Sequence, residues 1–266
     1  ISERLAQLMT QFGQNVLADE SNWNLPLRSE EDFDGLPLAL RDATRQAAQE
    51  RGLEGCIVTL SRSMVVPFLT FSRRRDLRET AWRAWTSRGE HPGPTDNRGL
   101  VHEILLLRAE QAQLLGYATY ADYALADSMA REQSAVEALL RNVWDRAKLA
   151  VERERVQLMA AQEATLPAGQ TPTAIEPWDW RFWAESVRQR TYAVDDAEVK
   201  PYFALERMVT AAFECATRLC GVTFHWQPDW PTYHPDVKAY EVRDAQTQAV
   251  VGVFLQDNFS RPGKRS

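Results

Sequence analysis

Gln133-Ser134-Ala135-Val136-Glu137-Ala138-Leu139-Leu140-Arg141-Asn142-Val143-Trp144 places apolar side chains at i, i+3, i+4, i+7 and i+8, counted from Val136. At 3.6 residues per turn those five share one face, so the stretch reads as an amphipathic helix. The helix is expected to run to about Leu166, where Pro167-Ala168-Gly169-Gln170-Thr171-Pro172 breaks it. Its middle, Glu152-Arg153-Glu154-Arg155, mixes both signs of charge and is expected on a solvated face.

Helical spacing continues in both directions. Upstream, Leu5, Leu8, Met9, Phe12 and Val16 repeat behind Ser2, a candidate N-cap. Gly35-Leu36-Pro37 interrupts, and a second helix over 38–51 is expected to close on Gly52. Gly55-Cys56-Ile57-Val58-Thr59-Leu60 is a short candidate strand. A helix over 73–88 carries Leu77, Trp82 and Trp85, and after the loop at 91–97 two more are expected over 98–115 and 120–130. Downstream of the break come helices over 178–190 and 204–220, the latter closed by Gly221. The period then changes. Residues 237–243 approximate alternation and 250–255 are an apolar run, which predicts a β-hairpin with the second strand more deeply buried than the first. The fold class is therefore mainly α with a small antiparallel β-hairpin near the C-terminal end, divided at the break into 1–166 and 167–266.

Composition narrows the class of function. A chain of 266 residues holds one large domain or two modest ones. With 31 basic against 37 acidic side chains, the net charge of −6 argues against a dedicated nucleic-acid binder. No apolar run approaches the ~18 residues that a membrane helix needs, so no membrane partner is expected. Three cysteines (Cys56, Cys215 and Cys220) make no disulfide framework, which favours a reducing, cytoplasmic compartment. The opening Ile1-Ser2-Glu3, without Met or an apolar leader, is expected to be a processed or excised start.

Catalytic motifs are incomplete. His102-Glu103 begins a His-Glu-x-x-His zinc helix, but Leu106 stands where the second histidine belongs. Cys215 and Cys220 lie roughly 140° apart around a helix and cannot chelate together, so they read as small buried hydrophobes. His225, His234 and Asp236 are metal-ligand types without a known ligand spacing. Gly263-Lys264-Arg265-Ser266 is rejected as a phosphate loop, because Asn258 replaces its first glycine and Arg265 its hydroxyl. Trp178, Trp180, Phe182 and Trp183 suit either an aromatic-lined groove or a helix–helix seam. From the residues alone no catalytic residue and no metal ligand is assigned.

Several phrases, in order, resemble the thimet-oligopeptidase family of zinc metallopeptidases, on its bacterial peptidyl-dipeptidase and oligopeptidase A branch. They are Leu107-Arg108-Ala109-Glu110-Gln111-Ala112-Gln113-Leu114-Leu115-Gly116-Tyr117 with Tyr120-Ala121-Asp122-Tyr123, then Trp178-Asp179-Trp180, Val199-Lys200-Pro201-Tyr202-Phe203, Tyr233-His234-Pro235-Asp236-Val237 and the segment from Asp257 to Arg265. The resemblance implies the helical lobe of a zincin-type peptidase, a channel admitting short peptides, and hydrolysis by a zinc-activated water in the full-length parent. It also implies that the zinc-binding helix lies beyond Ser266, so that this segment alone is expected to hold no zinc and to be inactive. A non-catalytic helical peptide-binding or scaffold protein is the alternative. The terminal hairpin is expected to face the peptide channel, with Asp257, Arg261 and Lys264 as candidate substrate-binding residues.

Overall fold

A computed structural model describes residues 1–167, 169–194, 196–259, 261 and 264. It comprises two compact units, Ile1–Thr191 and Tyr192–Ser266. The first contains helices α1 (Ser2–Asn22), α2 (Leu38–Glu50), α3 (Arg62–Phe71), α4 (Arg75–Thr86), α5 (Arg98–Leu114), α6 (Tyr120–Leu125), α7 (Gln133–Glu163) and α8 (Pro177–Tyr192), with strands β1 (Leu25–Leu27) and β2 (Cys56–Val58). The second contains α9 (Asp196–Val199), α10 (Leu205–Cys220) and strands β3 (Val222–Trp226), β4 (Lys238–Asp244) and β5 (Val250–Gln256).

The larger core of the first unit forms where α2, α3 and α4 meet the β1–β2 pair. Leu27, Leu36, Leu40, Val58, Leu60, Val65, Phe68, Leu69 and Ala81 are buried there, with Trp23, Leu77, Trp82 and Trp85 packed around them. Burying side chains of this size contributes about 1.5–3 kcal/mol each. Gly35 lets the chain approach α3 closely. It sits at φ +83°, and a Cβ there would lie 2.2 Å from the Phe71 carbonyl oxygen. A smaller core joins α1 to α5 through Leu5, Leu8 and Ile104. Asn97 extends that junction, accepting from Asn15 Nδ2 and donating to the Phe12 carbonyl.

Charge fixes α8 onto α4. Asp179 is fully buried, and Arg75 (Nη2, 2.8 Å) and Arg78 (Nη2, 2.8 Å) donate to its two oxygens. Arg78, 2% exposed, also donates to the carbonyls of Trp178 and Ser72, so its guanidinium is held on three sides. Trp178 meets Trp82 edge-on at 5.7 Å between centroids, and Arg78 lies over the Phe182 ring at 4.3 Å. For Trp178 and Phe182 the seam is thus the observed use.

In the second unit β3, β4 and β5 form one antiparallel sheet in that order. α10 covers one face: Phe213 stacks on Phe224 at 4.0 Å and meets Tyr240 and Phe254 edge-on at 5.0 and 5.9 Å. Gly221, at φ +66°, closes α10 with its N–H on the Thr217 carbonyl and turns the chain into β3.

Several expectations are corrected. The hairpin is part of a three-stranded sheet, and β5 is the less buried strand: Val251 and Val253 are each 58% exposed, whereas Ala239 of β4 is 2% exposed. β4 is the central strand and β5 an edge, which reverses the depth that the apolar run suggested. Cys215 and Cys220 are exposed rather than buried. Cys215 lies about 200° around α10 from Phe213, away from the sheet, and Cys220 is the last helical residue. Ser2 opens α1 from inside it, with Ile1 at the cap position, and the helix expected over 120–130 stops at Leu125. The charge run of α7 is solvated, its Arg155 pairing with Glu152.

Removing Asp179 leaves two arginines facing each other, one of them buried. Asp179→Ala is expected to lower stability by about 3–5 kcal/mol in urea denaturation, and Arg75→Ala, whose side chain is 44% exposed, by clearly less; equal losses would contradict the geometry. The three cysteines are unpaired, so thiol titration in denaturant without reductant should count three, and a count of one would reveal a bridge.

Candidate functional site

The second unit offers a strand edge and, directly after it, a charged cluster. β5 pairs with β4 on one side only, and no other described strand takes its second edge. An open edge presents backbone N–H and C=O groups that can pair with an extended chain whatever its side chains. The strand ends at Gln256, so Asp257 is the first residue beyond the edge.

The three residues singled out in the sequence come together there. Arg261 grips the Asp257 carboxylate with both Nη atoms, at 2.7 and 2.8 Å. Lys264 Nζ lies 2.9 Å from the same carboxylate and donates to the carbonyls of Asp257 (2.8 Å) and Phe259 (2.9 Å). Gly263, Arg265 and Ser266, neighbours of Lys264 in the rejected phosphate loop, lie outside the described residues. A fourth member escaped the sequence reading: the Tyr233 hydroxyl donates to Asp257 Oδ2 at 3.0 Å, and the Arg261 guanidinium sits 5.8 Å from the Tyr233 ring centroid. Tyr233 is 24 residues away in sequence, and only the hairpin fold closes that distance.

Electrostatics follow from these contacts. Hydrogen bonds from Arg261, then from Lys264, hold the Asp257 carboxyl well below the usual carboxylate range. The hydrogen bond to that anion pushes the Tyr233 phenol up. Two cations share one anion, so the cluster carries a formal charge of +1 while every member is hydrogen-bonded. It can attract a carboxylate, and an Arg fork suits that group better than an ammonium does.

A groove of about 340 Å³ shares Gln256 and Asn258 with this strand end and is lined by Leu205, Val209, Phe213, Lys238, Tyr240 and Phe259. Burial pushes the Tyr240 phenol up, and its hydroxyl donates to Gln256 Oε1 at 3.0 Å.

The histidines stand apart from one another. His225 Nε2 lies 3.0 Å from Thr223 Oγ1, while His234 Nδ1 accepts from the Asp236 N–H at 3.2 Å. His102 is exposed on α5, and the neighbouring Glu103 is committed to a two-toothed salt bridge with Arg4 of α1, at 2.6 and 2.9 Å. Among the described residues no three His, Cys, Asp or Glu side chains converge on a metal-sized point. The described donor set therefore does not fit a catalytic zinc ion, which takes three protein ligands.

The sequence pattern of peptidase family M3 matches residues 68–266, three quarters of the chain. The chain belongs to peptidase family M3. Across its full length it is 34% identical to oligopeptidase A of Haemophilus influenzae and 32% identical to oligopeptidase A of Escherichia coli. Over 97% of its length it is 33% identical to the dipeptidyl carboxypeptidase of Salmonella typhimurium. This M3 chain spans about 39% of the length of those oligopeptidases and 38% of that of the dipeptidyl carboxypeptidase. The matched region contains β5, Tyr233 and the Asp257 cluster.

The depressed Asp257 pKa makes a pH prediction. A carboxylate whose folded pKa lies below its unfolded value of about 4 contributes stability above that value and loses it as pH falls towards the folded pKa. The Tyr233 ring signals in NMR should therefore hold steady from pH 7 to 5 and shift only in more acid solution. In Asp257→Asn the acid shift should vanish; its persistence would assign the transition to another group.

Proposed function

We propose that this chain is part of a zinc-dependent oligopeptidase or peptidyl-dipeptidase acting on short peptides in the cytoplasm, and that its share of the work is to hold the peptide. The observation that carries this reading is the open β5 edge running straight into a net-positive cluster, within the region matched to family M3. An extended peptide aligned on β5 satisfies its backbone hydrogen bonds without regard to side chains, which gives broad sequence tolerance. A peptide carboxylate reaching the strand end meets Arg261 and Lys264, with Asp257 keeping both cations in place. Zinc, when bound in the parent enzyme, supplies an activated water for hydrolysis.

Two measurements test the proposal. The 266-residue chain, incubated with zinc and a quenched fluorescent oligopeptide, should show no chelator-sensitive turnover. The same chain, grafted into Haemophilus influenzae oligopeptidase A in place of the aligned 269 residues, should restore it. A folded graft without peptidase activity would favour the non-catalytic binding alternative. In the active graft, Arg261→Ala and Lys264→Ala should each raise KM for a short peptide at least threefold. Changes within about twofold in both KM and kcat would rule out direct contact.

A further inference from the structure

The groove of the second unit carries opposite charges on its two walls. One wall is the start of α10, the other the sheet where β4 begins and β5 ends, and together they enclose about 340 Å³. That is at the small end of the range for ligand pockets, roughly 300–1,000 Å³. Glu206 shares with Phe213, seven residues on, the face of α10 turned to the sheet. Lys238 shares with Tyr240, two residues on, the sheet face turned to α10. Among the described residues neither charged side chain forms a hydrogen bond or an ion pair, with the other or with any neighbour. Lys238 Nζ lies 5.9 Å from the centroid of the Trp226 ring, within reach of a cation–π contact. Asp236, the other acid at the rim, has an oxygen 3.6 Å from His234 Nδ1. Between the charges the lining is aromatic: Phe213, Tyr240 and Phe259. The Tyr240 hydroxyl is already spent on Gln256, which leaves its ring to the groove, and Lys264 anchors Phe259 by donating to its carbonyl at 2.9 Å.

We infer that this groove binds a zwitterionic dipeptide with one aromatic side chain: its ammonium on Glu206, its carboxylate on Lys238 and its ring against Phe213, Tyr240 and Phe259. Charge complementarity selects the class. A ligand of one sign meets a partner on one wall and a like charge on the other, whereas a zwitterion satisfies both. Length selects the dipeptide. A free amino acid carries both charges on one carbon and cannot bridge two side chains that stand too far apart to pair with each other. Two residues set the termini roughly 7 Å apart. The lining selects the side chain, because ring against ring in offset or edge-on contact adds to the area buried. The groove lies on the sheet face under α10, not along the open backbone of β5. Filling it needs no hydrolysis, so its test stands whatever the fate of the peptidase reading.

The experiment titrates the 266-residue chain with alanyl-phenylalanine while NMR follows the rings of Tyr240 and Phe259. The dipeptide should bind saturably and shift both rings. Acetylating its amine or amidating its carboxylate should each weaken binding at least about threefold. Alanyl-alanine, which lacks the ring, and free phenylalanine, which lacks the reach, should each bind at least about tenfold more weakly. Glu206 and Lys238 are exposed, so Glu206→Gln and Lys238→Gln should leave circular dichroism unchanged. Glu206→Gln should erase the cost of acetylation and keep that of amidation, and Lys238→Gln should do the reverse. If either variant fails to fold, the blocked dipeptides on the unaltered chain still decide. Absence of saturable binding in the millimolar range would overturn the proposal. So would equal binding of the free and blocked dipeptides, or phenylalanine binding as tightly as the dipeptide. A shift of the Tyr233 ring in place of Tyr240 would put the ligand on the Asp257 cluster and overturn it as well.

Discussion

The Arg75–Asp179–Arg78 cluster is the constraint on which the order of the first unit depends. It joins side chains 104 and 101 positions apart in sequence, and it does so in the interior. A buried carboxylate between two guanidiniums is poor evidence of net stability, because taking the charges out of water costs nearly as much as their attraction returns. Asp179 also accepts from the Glu176 N–H in the segment entering α8, so one carboxylate sets both where α8 starts and where it docks. The aromatic contacts around it then become geometrically possible, Trp178 on Trp82 and Arg78 over Phe182.

The second unit uses the opposite economy. Its interior is a small aromatic group in which Phe213 touches Phe224, Tyr240 and Phe254, and its charges sit at the strand end. Asp257 stands to Arg261 and Lys264 as Asp179 stands to Arg75 and Arg78: one acid between two bases. The difference is water. Asp179 is sealed and serves architecture, whereas the Asp257 group lies at the mouth of an open strand edge, where a net positive charge can still be felt by a ligand.

Much of the architecture was legible as periodicity. The 3.6-residue stripe of α7, the Gly221 stop and the alternation in β4 are local signals, and the structure repeats them within a few residues. The missing elements lacked such signals. α3 buries Met64, Val65, Phe68 and Leu69 and carries Pro67, so it shows no polar face to set its period and bears a residue that argues against a helix. β1 is three residues long with Pro26 in its centre, and it exists through pairing with Cys56–Val58. At the candidate site, the spacing of Asp257 and Arg261 is local and readable, while the Tyr233 hydroxyl arrives from another loop. The depth of β5 was misread for a related reason: an apolar run records what a strand can bury, and the run does not say which neighbours are there to bury it.

The β5 edge has a second consequence, for the handling of the chain during synthesis. Val250-Val251-Gly252-Val253-Phe254-Leu255 is six residues without charge or proline, exposed along most of its length. An edge suited to an incoming peptide is equally suited to the same edge of another molecule, and such a segment is the seed of cross-β stacking. Two features blunt it. The register shift opposite Val242 and Arg243 twists the ribbon, and Gly252 weakens the strand at its middle. The edge can therefore pair with another copy of the chain through the same row of backbone hydrogen bonds that would take an extended peptide.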